Sequence, residues 1–145
     1  MNPPGARERP PLDLLLVEDD EVDVLALRRA LAPCAPPPRL HVASDGQAAL
    51  AVLRGRPAAG AARWLVLLDL NLPRMGGLEL LAALRADAAL ASVPVVVLTT
   101  SGDGRDIRAA FRHQVAGFFR KPLDPAEAAA TMSTITAYWT QSELP

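Results

Sequence analysis

Four groups of polar residues stand where an apolar run of this sequence stops. Glu18-Asp19-Asp20 follows the run 12–17, Asp69 follows 65–68, Thr99-Thr100-Ser101 follows 93–98, and Lys121-Pro122 follows 115–119. Gathered in one place, they would supply two or three carboxylates, a hydroxyl and an ammonium. Close carboxylates repel unless a cation joins them. A few carboxylates and a backbone carbonyl, completed by water, are the ligands Mg²⁺ prefers. A carboxylate beside such a cation can attack a phosphoryl group and become an aspartyl phosphate. The remaining work is positioning and neutralising the phosphoryl oxygens. Asp69 is the candidate nucleophile, with Mg²⁺, Lys121 and the Thr99 hydroxyl as the neutralising groups.

Each group also has a plainer reading. The acidic triplet can be the first turn of a helix, and Asp69-Leu70-Asn71 an Asx-type turn. Thr99-Thr100 can cap a helix, and Lys121-Pro122 can be a solvated loop. The conjunction favours a site, provided the chain folds so that all four places meet.

The elements predict that it does. The runs 12–17, 65–68, 93–98 and 115–119 are continuously apolar, as strands of a parallel sheet covered on both faces are; a weaker run spans 39–44. Helical patterns lie between them, at 20–31, 45–55, 76–86 and 103–113, and a fifth at 124–139. In the first, Val24, Leu27 and Leu31 share a face, with acids at the start and arginines at the end, as the helix dipole favours. Gly55 is a stop for the second; Asp124 and Pro125 suit the N-cap and first position of the fifth. The segments "APCAPPP" and "RPAAGAA" read as loops. The order is (βα)₅, an α/β doubly wound sheet with helices on both faces. In the flavodoxin-like strand order 2-1-3-4-5, the carboxyl ends of strands 1 and 3 form the switch-point crevice where ligands bind.

The totals narrow the function. At 145 residues the chain fits one domain, and half its residues are hydrophobic, enough for a core. A formal net charge of −1 gives no electrostatic case for nucleic acid. The longest apolar run is too short for a membrane span. Residues 1–11, rich in Pro and Arg, read as a disordered lead-in without an export signal; 12–140 read as the domain and 141–145 as a tail. The single cysteine, Cys34, has no disulfide partner and fits a reducing, cytoplasmic setting. His41, in the weak second strand, and His113, ending the fourth helix, read as surface or boundary residues.

The motifs "LLLVEDDEVD", "LLDLNLPRMGGLELL", "PVVVLTTS" and "FFRKPLD", in this order and spacing, resemble the receiver domain of two-component response regulators, from residue 12 to about 140. The resemblance implies that Asp69 accepts a phosphoryl group. It implies that Asp19 binds Mg²⁺ directly, that Glu18 does so directly or through water, and that the Asn71 carbonyl completes the metal site. Thr99 becomes the hydroxyl that contacts the phosphoryl group, Lys121 the family's lysine, and Pro122 the cis proline after it. Phe118 falls where an aromatic side chain changes rotamer as Thr99 moves, a two-state element biased by local charge. Two residues depart from the common pattern: Glu18 stands for Asp, and Phe118 for Tyr. More narrowly, "LLDLNLPRMGGLE", "PVVVLTTS" and "AYWTQSELP" resemble stand-alone receivers that partner bacterial phytochrome histidine kinases.

The stretch after Lys121 is long enough for one helix and a short arm, so output is expected from a changed surface: the face of the fourth helix, fifth strand and fifth helix. Tyr138, Trp139 and Leu144 are candidates for a homodimer arm; their alternative is packing against their own domain. Two other readings stand beside the receiver. A phosphohydrolase would also use a strand-end Asp and Mg²⁺, but its second Asp, a general acid, is here Asn71, which cannot carry the proton. A phosphorylation-independent adaptor of receiver shape is the third; the complete set Asp19, Asp69, Thr99 and Lys121 argues against it.

Overall fold

Leu12–Val17 begins the fold as β1, every residue of it buried. The computed structural model describes residues 11–57 and 62–145; the lead-in 1–10 and part of the "RPAAGAA" loop lie outside the described residues. The order continues α1 (Glu21–Leu31), β2 (Arg39–Ala43), α2 (Gly46–Arg54), β3 (Arg63–Leu68), α3 (Gly77–Ala86), β4 (Val95–Thr99), α4 (Gly104–Arg112), β5 (Gly117–Arg120) and α5 (Pro125–Gln141). The strands are parallel and ordered β2-β1-β3-β4-β5, the doubly wound arrangement expected from the alternation.

Because strand side chains alternate, the central strands feed two cores. Leu15, Val17, Val66, Leu68, Val95 and Val97 pack under α2, α3 and α4 through Leu50, Leu53, Leu80, Leu84 and Ala110. Leu14, Leu16, Leu65, Leu67, Val96 and Leu98 pack under α1 and α5 through Leu27, Leu31, Met132 and Ile135. With both faces covered, polar side chains of the inner strands have an outlet only at the sheet's two ends. At the amino end, buried Asp13 takes two hydrogen bonds from Arg39 (3.0 and 2.9 Å) and one contact from His41 (2.9 Å), whose ring lies against Trp64. His41 is thus a member of a polar cluster rather than a bare surface residue.

Three strand starts differ from the sequence expectation. β3 starts two residues early, because Arg63 and Trp64 pair with Leu12 and Asp13, carrying the strand past the charged Arg63. β4 starts two residues late: Val93 N–H turns back to Leu90 O (3.1 Å), and Pro94 has no N–H to give. β5 starts two residues late, at Gly117: the chain turns at Gln114, whose φ of 59° is left-handed, and joins β4 only from the Ala116 N–H bond to Val95 O (2.8 Å). Asp124 caps α5 as the sequence expects, and Asp20, Asp45 and Asp103 likewise accept N–H bonds from the first turns of α1, α2 and α4. Asp103, not Thr99 or Thr100, caps α4.

Candidate functional site: the carboxyl edge of β1, β3, β4 and β5

Backbone bonds of the sheet run past the strands and aim the site. Glu18 N–H donates to Ala43 O (3.0 Å), Asp69 N–H to Val17 O (3.1 Å), and Lys121 N–H to Thr99 O (2.8 Å). Three strand ends are thereby tied to their neighbours at the residues that carry chemistry. Asp69 is 5% exposed, Glu18 2%, and Thr99 fully buried.

Both oxygens of Asp69 are occupied. Oδ1 accepts from the Thr99 hydroxyl (2.8 Å) and from the Asn71 N–H (3.0 Å); Oδ2 accepts from Lys121 Nζ (2.8 Å). The Asn71 bond is an Asx turn, so the plainer reading of this segment and the site reading both hold. Lys121 Nζ also donates to Glu18 Oε1 (2.6 Å) and Asp23 Oδ2 (2.8 Å). The sequence-expected residues Glu18, Asp69, Thr99 and Lys121 therefore form one bonded cluster. Asp19 is exposed beside it. Asn71 is exposed, its amide donating to Thr100 Oγ1 (3.4 Å). The Ser101 N–H reaches Thr99 Oγ1 (3.3 Å), and its hydroxyl donates to Asp106 of α4.

Asp23 went unassigned in the sequence. It lies on the first turn of α1, where an acid is accounted for by the helix dipole alone. The signal that points to it is placement: a first helical turn following a strand's carboxyl end stands over the crevice.

Lys121–Pro122 is trans; among the described residues the cis peptide bond is Ala35–Pro36. This corrects the cis proline expected at 122. Trans is the lower-energy form of an X–Pro bond by about 0.5–1 kcal/mol, and Lys121 makes its backbone bond to Thr99 and all three carboxylate contacts with it.

Phe118 is half-buried against the α2–α4 core, paired with Val97 across the strands. Trp139 and Leu144 pack partly against the α1–α5 core, while Tyr138 is 65% exposed and meets Trp139 edge-on. Arg63 holds this end of α5 by donating to the carbonyls of Trp139 (2.6 Å), Thr140 (3.0 Å) and Ser142 (2.7 Å). Cys34 is half-buried and accepts from the Thr136 hydroxyl (3.3 Å).

Charge within the cluster is unevenly shared. Burial, then the adjoining Asp69 and Asp23 carboxyls, push Glu18 up to about 9. Burial also works against ionisation of Asp69. Its bonds with Glu18, Lys121, the Asn71 N–H and Thr99 outweigh that and hold it below the ordinary carboxylate range. Asp23 is lowered by its bonds with Glu18 and Lys121. Burial opposes the Lys121 ammonium, yet three carboxylates hold its proton more tightly than usual. Asp69 is held in its ionised form, with Lys121 as its counter-charge.

The crevice suits a hydrated cation. Glu18 Oε2 is buried and has no hydrogen-bond partner, a cost that a ligand would remove. Among the described residues no three acidic, His or Cys side chains enclose a metal ion by themselves; the lysine ammonium stands among the carboxylates. Mg²⁺ takes only one or two carboxylates and keeps waters, so it does not need three enclosing side chains; the carboxylates at this edge are Glu18, Asp19 and Asp69.

The loop after Asp69 is fitted closely. Arg74 adopts a left-handed φ of 63° and its guanidinium donates to Asp45 (2.9 Å). A Cβ on Gly77 would lie 2.6 Å from Leu70 Cα and 2.7 Å from Asp69 O, whereas one on Gly76 meets nothing within 4 Å. Gly77→Ala is expected to cost about 1–3 kcal/mol, because the backbone beside Asp69 must shift. Gly76→Ala, where a Cβ meets nothing, is the milder control: it loses only glycine's N-cap preference over alanine, up to about 1 kcal/mol. Thermal denaturation of the two variants checks this.

Comparison with known proteins matches this geometry. A family model described as the response regulator receiver domain matches residues 14–133. The chain is 36% identical over 130 residues to FilR2 of Methanothrix harundinacea, a probable methanogenesis regulatory protein, covering 89% of this chain and 84% of that one. It is 33% identical over 135 residues to the response regulator Rcp1 of Synechocystis, covering 92% of each. A Mn(2+)-bound crystal structure of Rcp1 superposes with a TM-score of 0.79 over 93% of this chain and 99% of that one, at 32% identity. The phosphorylated cyanobacterial phytochrome response regulator RcpA superposes with a TM-score of 0.83 over 94% of this chain and 99% of that chain, at 34% identity. With the strand order, the edge cluster and these matches together, the chain belongs to the response regulator receiver domain family.

Proposed function

We propose that Asp69 of this chain accepts a phosphoryl group from the phosphohistidine of a cytoplasmic histidine kinase, of the phytochrome type that RcpA's description names. The observation that carries it is the bonding of Asp69. One oxygen is held by Thr99 and the Asn71 N–H, the other by Lys121, inside a buried edge of the sheet. An Asp69 oxygen attacks phosphorus, the P–N bond to the histidine breaks, and the departing imidazole nitrogen takes a proton. As the P–O bond forms, charge spreads over the phosphoryl oxygens, and the donors on Lys121 and Thr99 stand within reach to neutralise it. Glu18, Asp19, Asp69 and the Asn71 carbonyl would hold Mg²⁺, which when bound adds neutralising charge on the phosphoryl oxygens. The chain catalyses only its own phosphorylation and dephosphorylation, since Asn71 stands where a turnover enzyme of this chemistry needs a general acid.

Output follows from the same bonds. When Thr99 turns its hydroxyl to the phosphoryl group, space beside it opens for Phe118, and the surface of α4, β5 and α5 changes. The homodimer is read at Tyr138, the exposed member of the expected arm. Tyr138→Ser is expected to lower the mass seen by light scattering from dimer to monomer; an unchanged mass removes the arm.

The activity is tested with acetyl phosphate and Mg²⁺, following intact mass. The expected result is one added phosphoryl group, absent without Mg²⁺ and absent in Asp69→Asn. Continuous release of phosphate over many turnovers would favour the phosphohydrolase, and no adduct the adaptor.

A further inference from the structure

Lys121 is held by three carboxylates, and two of them have other work in the reaction proposed above. Asp69 bonds to phosphorus, and Glu18 is a candidate cation ligand. Asp23 is the third, 2.8 Å from Nζ, and it belongs to α1 rather than to a strand end. We propose that Asp23 is a positioning residue for phosphoryl uptake, anchoring the Lys121 ammonium at the crevice while Asp69 and Glu18 change partners.

The donor count requires such an anchor. An ammonium has three N–H donors, and here they go to Glu18, Asp23 and Asp69. Once Asp69 carries a phosphoryl group, the donor on its Oδ2 must pass to a phosphoryl oxygen. Once Glu18 faces a cation, its claim on the lysine weakens. Asp23 keeps its partner throughout. Packing does not do this work on one side: a cavity of about 70 Å³, lined by Leu16, Ala26, Leu27, Leu98 and Ala128, lies against Lys121. A lysine stem freed on that side regains rotamer entropy by leaving the crevice. Asp23 is itself fixed, because it occupies the first turn of a helix capped by Asp20, whose Oδ1 accepts the Asp23 N–H (3.3 Å). Its side chain is 42% exposed, so an amide of the same shape is accommodated without cost to the core.

The inference rests on the proposed phosphorylation of Asp69, and the test separates the two. Single-turnover phosphorylation by acetyl phosphate is measured at saturating Mg²⁺ for the full chain and for Asp23→Asn, Asp23→Glu, Lys121→Ala and Asp23→Asn/Lys121→Ala. Asp23→Asn is expected to be slower by about tenfold, as misplaced catalytic groups are, with the Mg²⁺ dissociation constant and Tm little changed. Asp23→Glu is expected to recover most of the loss. In the Lys121→Ala background, Asp23→Asn is expected to have no further effect, because it acts through the lysine. A wild-type rate in Asp23→Asn, or a full tenfold loss persisting without Lys121, would overturn the inference while leaving Asp69 as acceptor. A wild-type chain that takes up no phosphoryl group would overturn both.

Discussion

Lys121→Ala is expected to slow phosphoryl uptake from acetyl phosphate by about 10²-fold or more, the loss seen when one preorganised donor to developing charge is removed. The geometry explains the size. Among the described residues Nζ is the cation bonded to Asp69, and it stands inside a buried edge where charge is poorly screened. Arginine is not expected to rescue. Its planar fork cannot take three carboxylates converging on a single point at 2.6, 2.8 and 2.8 Å. Stability should respond as well. Glu18, Asp23 and Asp69 would be left facing one another, and breaking a buried pair from one side is costly. Protonation of Glu18, whose carboxyl is already pushed up to about 9, relieves part of that cost. Single-turnover kinetics beside a denaturant titration check the two effects; a rate within a few-fold of wild type would exclude Lys121 as the charge partner.

The second large effect lies away from the site. Arg85, at the end of α3, donates to the carbonyls of His113 (2.7 Å), Ala91 (2.9 Å), Val93 (2.8 Å) and Gln114 (3.2 Å). Burial lowers the pKa of its guanidinium from the ordinary arginine value, and these four bonds all go to carbonyl oxygens. This one side chain ties the α3–β4 turn to the α4–β5 turn. Arg85→Ala is expected to cost about 3 kcal/mol, since hydrogen bonds from a charged donor contribute about 1.5–3 kcal/mol each and do not add fully. Arg85→Lys should recover only a small part, because a point ammonium cannot span carbonyls from two loops. Denaturant midpoints at constant m-value check this. A loss below about 0.5 kcal/mol, the ordinary surface value, would contradict the clamp.

How far the sequence reached depended on which physical rule each residue obeys. The bounds of β1 were legible, because a strand buried on both faces is mostly apolar and a single Asp, Asp13, does not break the run. The first two residues of β3 were not: Arg63 is buried by pairing and by its bonds to the end of α5, and Trp64 by packing into the core beside His41. The strand-end residues Glu18, Asp69, Thr99 and Lys121 were legible as one site, since the parallel sheet leaves polar groups only its edges. Asp23 was hidden because a first-turn acid has a sufficient local explanation. The Asp13–Arg39–His41 cluster at the opposite edge was missed for a related reason: one Asp inside an apolar run carries no mark of the partners that satisfy it. The isomer at Pro122 was expected from family likeness alone, and the chain's own contacts are met with the trans bond.

The central claim is that Asp69, rather than any of the carboxylates crowded beside it, forms the bond to phosphorus. An acyl phosphate is reduced by borohydride, which converts the modified aspartate to homoserine. The measurement is to phosphorylate the chain with acetyl phosphate and Mg²⁺, reduce it, digest it and locate the altered residue by peptide mass. The account predicts homoserine at position 69 alone, with none when Mg²⁺ is omitted. Modification at Glu18, Asp19 or Asp23, or none in protein that has been exposed to donor and Mg²⁺, would contradict it.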